Sequence, residues 1–448
     1  MSKIYDFTLP FSIVRNYVIF TFKRFYSEFI VVGKENIPVN EPIIFAPNHI
    51  NALMDALAVH SVSSNKIPLI FLARSDIFNN KIAAKILKFA KILPAFRMRD
   101  GMDKLGKNQE IFDQCVEILD HNNALGIMPE GNQGEQKKLR PLVKGIFRIG
   151  FAAQQKYGTN KGVKIIPVGI DLGDYVKFGK HIIVNVGKPI EVSDYMALYA
   201  ENPITATNEI RDKLRDDLNK LSLNLATEKF YDCFVIATEV ANTAVLNELK
   251  LPDKTIYRFV ARQKIAEKLV SLEKNDPDEI IKLDLLCKEY TNLLKKINLK
   301  TWVLERKVSG ILQLFLDGLL LFWTLPVFIV GFMLNFLPFF LPVFIRKNVI
   351  KAKDIGFFST LHFALGIITV PLFYMLQTVI FYSLLSVPFW VAAIFFFLQY
   401  FCGKCALKWY RDMIKYFAKI RYRKMTLRNS MDLQSIQNIR KQIIHTIN

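Results

Sequence analysis

The chain is 448 residues long, with 51% hydrophobic residues, 37 phenylalanines and a formal net charge of +20. That length exceeds one ordinary domain, and the apolar content argues against a wholly soluble enzyme. The positive balance favours acidic partners such as anionic lipid head groups or phosphorylated substrates. No stacking platform, zinc-ligand set or recognition-helix pattern accompanies it, so nucleic acid is not an expected partner.

The first apolar stretch, residues 11–32, is interrupted by Arg15, Lys23, Arg24 and Glu28. An uncharged run of about 20 residues is needed to span a bilayer. Phe11, Ile13, Val14, Val18, Phe20, Phe22 and Phe25 instead fit an amphipathic helix within residues 1–28, lying in a membrane interface or buried against the protein. No signal-peptide pattern is read here.

From about Phe29 the pattern changes. Phe29-Ile-Val-Val and Ile43-Ile-Phe-Ala read as strands, the second ended by Pro47-Asn48-His49, with Asn51 placed to cap a helix from Ala52. Short apolar runs recur at 69–72, 125–128, 163–168 and 182–186, with helical segments at 79–91 and 108–121 between them. Strands alternating with helices predict an α/β domain over 29–225 with a mostly parallel sheet flanked by helices. Residues 226–308 read as a helical connector, with starts near Pro252-Asp253 and Asn275-Asp276-Pro277.

Two apolar blocks follow. Residues 310–345 hold one acid, Asp317, which fits a helix end, and three prolines, Pro326, Pro338 and Pro342; residues 355–403 hold His362 and no full charge. Basic residues sit before the first block (Lys295, Lys296, Lys300, Arg306, Lys307), between the two (Arg346, Lys347, Lys351, Lys353) and after the second (Lys404 to Lys424). By the positive-inside rule all three clusters belong on the cytoplasmic side, so each block is expected to form a transmembrane hairpin within 309–403. Residues 404–448 are then a basic cytoplasmic tail lying on anionic lipid. The composition, rich in Lys, Asn, Ile and Phe, points to a bacterial cytoplasmic membrane. Of the five cysteines, only Cys402 and Cys405 have metal spacing, and tetrahedral zinc needs two more ligands, so no metal is expected.

The chemistry lies between residues 48 and 167. His49, on the loop after a strand, can meet Asp55 on the next helix; the carboxylate then orients one ring nitrogen and leaves the other as a base. Arg97 and Arg99 bracket Met98 ahead of Gly101, and guanidinium forks suit phosphate. Next, a strand runs into Pro129-Glu130-Gly131, where Gly131 permits a turn other residues resist and Glu130 can accept from a substrate hydroxyl. Lys137, Lys138, Arg140 and Lys144 follow, and Pro167 interrupts a buried strand.

In this order the four pieces resemble the glycerolipid acyltransferase superfamily, which includes the glycerol-3-phosphate and 1-acylglycerol-3-phosphate acyltransferases. The resemblance covers roughly residues 29–220. It implies that His49 is the general base, that Asp55 orients it, and that Arg97 or Arg99 holds the acceptor phosphate. Glu130 and Gly131 would bind the glycerol part, and Pro167 would mark the fourth block, near the acyl donor. Backbone N–H groups near the Asn48 turn or Gly131 are the expected oxyanion donors. The sequence departs from the family pattern in three places. Five residues separate His49 from Asp55 where four are usual, a spacing found in one branch of the superfamily. Met128 stands where Phe is usual, and Asn132-Gln133 replaces Thr-Arg, leaving Arg140 or Lys137 to supply that charge. The resemblance therefore implies a membrane-bound α/β acyltransferase with no cofactor, taking acyl-CoA or acyl-carrier protein as co-substrate. The first expected acceptor is 1-acylglycerol-3-phosphate, giving phosphatidic acid, and the alternative is glycerol-3-phosphate. A lipid transporter or scramblase with a regulatory α/β domain is the reading from another class, and the hairpins are its sole support.

Overall fold

The computed structural model describes residues 4–64, 68–96, 102–158, 162–351 and 354–447. The chain divides into two units, Met1–Asn224 with Lys353–Phe363, and Leu225–Ala352 with Ala364–Asn448.

The first unit is built on one sheet. Its strands are β1 (Glu28–Val32), β2 (Ile43–Pro47), β3 (Leu69–Arg74), β4 (Ile92–Ala95), β5 (Ala124–Gly126), β6 (Lys164–Leu172), β7 (His181–Val186) and the short β8 (Ile190–Glu191). The order is β1-β7-β6-β2-β5-β3-β4, with β8 beside β6. Pairing is parallel except where β6 meets β7 and β8, so the sheet is mixed and mostly parallel. The central strands have unbroken apolar sequences because helices cover both faces. Every residue of β2 is buried, as is nearly every residue of β6. Two strands escape the sequence reading: β4, hidden in Ile92-Leu-Pro-Ala, and the two-residue β8.

Pro167 lies inside β6 opposite Ala46. Its carbonyl accepts from Gly187 N–H at 2.9 Å. The imide nitrogen therefore faces the same side, where β8 ends at Ile165 and β7 begins pairing at Val168. A proline costs no ladder bond in that gap.

The covering helices are α1 (Leu9–Phe25), α2 (Ala52–Val62), α3 (Lys81–Phe89), α4 (Met102–Asp120), α5 (Gly145–Tyr157), α6 (Met196–Glu201) and α7 (Pro203–Leu221). In α7 the residues Ala206, Ile210, Leu214 and Leu218 recur every fourth position and are all fully buried. They join Phe147 and Phe151 of α5 and Ile44, Leu125 and Ile165 of the sheet in one core. Each such buried Ile, Leu or Phe stabilises the fold by roughly 1.5–3 kcal/mol.

Helix α1 is apolar on two faces. Phe11, Arg15 and Phe22 face inward, while Leu9, Ile13 and Phe20 are exposed. Buried Arg15 explains one of the charges that interrupts the apolar run. Its Nη2 donates to Ser64 O at 2.8 Å, just beyond the C-terminal end of α2, where a cation is favoured by the helix dipole. Helix α3 buries no residue at all. At about 100° per residue, Ile82, Ile86 and Phe89 share one ~60° arc, and Lys81, Lys85 and Lys88 share the next.

The second unit is helical in its described residues. Helices α8 (Tyr231–Val240), α9 (Asn242–Glu248), α10 (Thr255–Asn275) and α11 (Pro277–Ile297) form a bundle with α16 (Met431–Ile447), and the short α12 (Thr301–Leu304) follows α11. Asp276 caps α11 by accepting from Glu279 N–H at 3.0 Å, with Pro277 opening the helix. Residues 431–447 are thus a packed helix, burying Leu433, Ile436, Ile439 and Ile443, rather than a tail lying on lipid.

The apolar blocks form α13 (Ile311–Phe344), which a π-turn extends to Ile350, then α14 (Phe358–Leu385) and α15 (Phe389–Leu427). Three helices are long and apolar enough to cross a membrane. This corrects the expectation of two hairpins. The first block does not fold back, and three full crossings cannot place all three basic clusters on one side. At Pro338 and Pro342, two of the three prolines inside α13, α14 serves the carbonyls they orphan. Pro338 cannot bond Leu334 O, which instead accepts from Gln377 Nε2 at 2.9 Å. Pro342 likewise frees Pro338 O, which accepts from Thr369 Oγ1 at 3.2 Å. Helical prolines are tolerated in apolar surroundings when neighbours supply such donors. Asn335, buried between the helices, accepts from Tyr374 Oη at 2.5 Å and donates to Gln399 O at 3.2 Å. Asp317 lies near the start of α13 and pairs with Lys419 of α15 at 2.8 Å.

Candidate active site

Strands β2 and β5 are parallel neighbours, with Phe45 opposite Gly126, and Ile127 N–H bonds Phe45 O at 3.0 Å. Their following loops must leave the sheet at the same end. That places the Asn48-His49 loop beside the Pro129-Glu130-Gly131 turn, although 81 residues separate His49 from Glu130. Clefts at the carboxyl ends of parallel strands are where such sheets present their chemistry.

His49 Nδ1 lies 3.0 Å from Asp55 Oδ2. The same carboxylate oxygen accepts the backbone N–H groups of Ile50 at 2.8 Å and Asn51 at 2.7 Å. Asp55 is fully buried and the His49 side chain is 16% exposed. A carboxylate at Nδ1 demands a proton there, which leaves the Nε2 lone pair as the basic site. Between His49 and Asp55 the backbone takes a positive φ at Ala52, +37°. A left-handed conformation is unfavourable for a residue with a Cβ and persists only when its surroundings hold it. Asn51 precedes α2 as expected, but its side chain does not cap the helix. Asp55 collects the loop's N–H groups instead.

Asn48, an expected substrate contact, uses both ends of its amide on β6. Its Nδ2 donates to Ile170 O at 3.1 Å and its Oδ1 accepts from Ile170 N–H at 2.7 Å. It therefore ties the loop to the sheet.

Glu130 is buried, and both its oxygens have protein donors. Oε1 accepts His49 N–H at 2.7 Å, and Oε2 accepts Arg140 N–H at 3.0 Å and Arg140 Nε at 3.1 Å. Burial raises the pKa of this carboxyl, while the two backbone donors and the Arg140 charge pull it back. Arg140 Nη1 donates to Gln133 O at 2.7 Å, and Nη2 is buried with no hydrogen-bond partner among the described residues. Gly131 has φ +69°, and a Cβ would meet Val143 at 3.3 Å, so the turn requires glycine. Lys137 pairs with buried Asp171 and donates to Leu172 O at 2.8 Å.

Five of the backbone N–H groups at the Asn48 turn and Gly131 are engaged. Asn48 N–H bonds Val168 O and Gly131 N–H bonds Met128 O, while those of His49, Ile50 and Asn51 go to Glu130 and Asp55. Hydrogen bonds to the sheet and within the two turns consume these five groups. Arg97 and Arg99 lie outside the described residues. The site also contains a residue that sequence reasoning missed. Ser359 Oγ donates to Asn51 Oδ1 at 2.9 Å, across 308 positions of sequence that carry no local signal of the pairing.

A family model described as Acyltransferase matches residues 28–171. The match takes in the His49–Asp55 pair and the Pro129-Glu130-Gly131 turn, so this part of the chain is similar to an acyltransferase domain. It is 24% identical over 365 residues to glycerol-3-phosphate O-acyltransferase 1 of Saccharomyces cerevisiae, covering 75% of this chain and 47% of that protein. It is also 24% identical over 294 residues to glycerol-3-phosphate O-acyltransferase 2 of the same yeast, covering 61% and 38%. The chain therefore spans about half the length of these relatives or less. The crystal structure of the 1-acyl-sn-glycerophosphate acyltransferase PlsC from Thermotoga maritima aligns with a TM-score of 0.34 and 16% identity, covering 47% of this chain and 77% of that one.

Proposed function

We propose that the protein transfers an acyl group from a thioester to a hydroxyl of glycerol 3-phosphate. The observation that carries the activity is the His49–Asp55 pair, with the ring's basic nitrogen directed away from the carboxylate. The acceptor follows from the names of the two yeast relatives and from the five-residue spacing, and it replaces 1-acylglycerol-3-phosphate as the preferred reading. His49 Nε2 takes the proton as the hydroxyl oxygen attacks the thioester carbonyl. The tetrahedral intermediate collapses with cleavage of the carbon–sulfur bond, and His49 returns its proton to the thiolate. Asp55 stabilises the imidazolium between these steps. No covalent acyl-enzyme is required.

Glu130 supports this chemistry by holding the backbone of His49. The acceptor phosphate falls to Arg97 or Arg99 and to the unpartnered Nη2 of Arg140. The co-substrate is acyl-CoA or acyl-carrier protein. Anionic lipid is the partner of the exposed faces of α1 and α3, because Leu9, Ile13, Ile82, Ile86 and Phe89 are exposed apolar groups beside lysines of α3. The test supplies labelled acyl-CoA with glycerol 3-phosphate or its 1-acyl derivative to protein purified in detergent. Monoacyl product that vanishes in His49→Ala supports the reading. Turnover of the 1-acyl acceptor alone would restore the other acceptor. Lipid movement that persists in His49→Ala without acyl transfer would favour the transporter reading.

A further inference from the structure

The segment that opens α14 belongs to the first unit. It touches both loops of the catalytic centre. Asp354 Oδ2 accepts from Gln133 Nε2, two positions beyond Gly131, and Ile355 N–H bonds Glu135 Oε1 at 3.3 Å. Asp354 Oδ1 accepts Gly356 N–H at 2.9 Å, which shapes the turn. Phe363 packs edge-on against Phe22 and Phe25 of α1 at 5.9 and 5.8 Å.

The decisive contact is Ser359 with Asn51, 2% and 1% exposed respectively. Asn51 Nδ2 donates to Tyr175 O at 3.2 Å, which fixes the amide so that Oδ1 faces Ser359. Asn51 N–H donates to Asp55, and the next residue is the left-handed Ala52. Asn51 is thus held at three points, and it holds the strained turn on which the dyad is built. Without Ser359 its Oδ1 would be buried without a donor, and an amide free to rotate would no longer brace that turn.

We infer that Ser359 is a positioning residue for the acyl transfer, acting through Asn51 on the Asp55–His49 pair, so that the leading turn of an apolar helix completes the catalytic centre. This rests on the acyltransferase reading above. It predicts that the isolated α/β sequence would present an incompletely braced dyad.

The experiment compares wild type, Ser359→Ala, Ser359→Thr, Asn51→Ala and the Ser359→Ala/Asn51→Ala double variant as full chains in detergent, with His49→Ala as control. Ser359→Ala should lower kcat about tenfold with little change in either KM, Ser359→Thr should restore it, and the double variant should be no worse than Asn51→Ala alone. Hydrogen exchange at the Ile50 and Asn51 amides, which needs no turnover, should quicken in Ser359→Ala. Unchanged kcat and exchange in Ser359→Ala, or losses that add in the double variant, would overturn the inference. A wild type without acyl transfer would refute the acyltransferase reading instead, and the exchange result would still decide the role of Ser359.

Discussion

Glu130 Oε1 accepts the backbone N–H of His49 at 2.7 Å, so the acid of the Pro-Glu-Gly turn supports the base from behind. Replacing it with Ala leaves the His49 and Arg140 N–H groups buried without an acceptor, at about 1–3 kcal/mol for each unmet group. Glu130→Ala should therefore lose both melting temperature and kcat. Glu130→Gln keeps one acceptor for His49 but turns an NH2 toward Arg140, and it should retain intermediate activity. Circular-dichroism melting and initial rates check both. A Glu130→Ala protein with wild-type kcat and a raised acceptor KM would show instead that Glu130 binds substrate.

Asp55 Oδ2 takes three donors at once. In Asp55→Asn the amide either turns its NH2 against the Ile50 and Asn51 N–H groups or loses the Nδ1 contact. Mis-set tautomers of this kind lower kcat by up to about 10⁴-fold. Steady-state rates should fall by about 10²–10⁴-fold in Asp55→Asn, with the fold retained by circular dichroism. A rate within a few-fold of wild type would separate Asp55 from the chemistry.

His60, at the far end of α2, has its pKa pushed from 6.5 down to about 3 by burial and then by the Arg15 charge. The unfolded chain takes up a proton below pH 6.5 that the folded residue refuses. His60 therefore favours the fold fully above about pH 6.5, and that contribution is lost as pH falls toward 3, by at most roughly 1.4 kcal/mol per pH unit. His60→Gln should flatten the acid side of the stability–pH curve. Denaturant unfolding between pH 7 and 4.5 measures this, and an unaltered slope would contradict it.

Gln377 and Thr369 serve the carbonyls freed by Pro338 and Pro342. Gln377→Leu and Thr369→Val keep volume and polarity suited to lipid yet strand one carbonyl each. Each should lower stability in detergent by about 1–2 kcal/mol. Combining Gln377→Leu with Pro338→Ala should recover most of the loss, because the helix then makes its own bond. Absence of that recovery would sever the link between the proline and the glutamine.

Much of this was legible in the residues. The alternation of apolar runs and helices points to the mostly parallel sheet, and the ordered pieces from His49 to Pro167 point to the acyltransferase likeness that the family model finds over residues 28–171. What stayed hidden has physical causes. Glu130 looks like a free acid in sequence because two of its three donors are backbone N–H groups, which every residue but proline carries. Ser359 is one hydroxyl in an apolar block, and its pairing is set by tertiary structure alone. The first apolar block reads as a hairpin because its prolines are visible in sequence and the donors that α14 brings to Leu334 O and Pro338 O are not.

The most direct test of the central claim is single-turnover acyl transfer from labelled acyl-CoA to glycerol 3-phosphate, comparing wild type with His49→Ala. The His49–Asp55 account predicts monoacylglycerol phosphate from wild type and none above background from His49→Ala. Equal product from both proteins would contradict it.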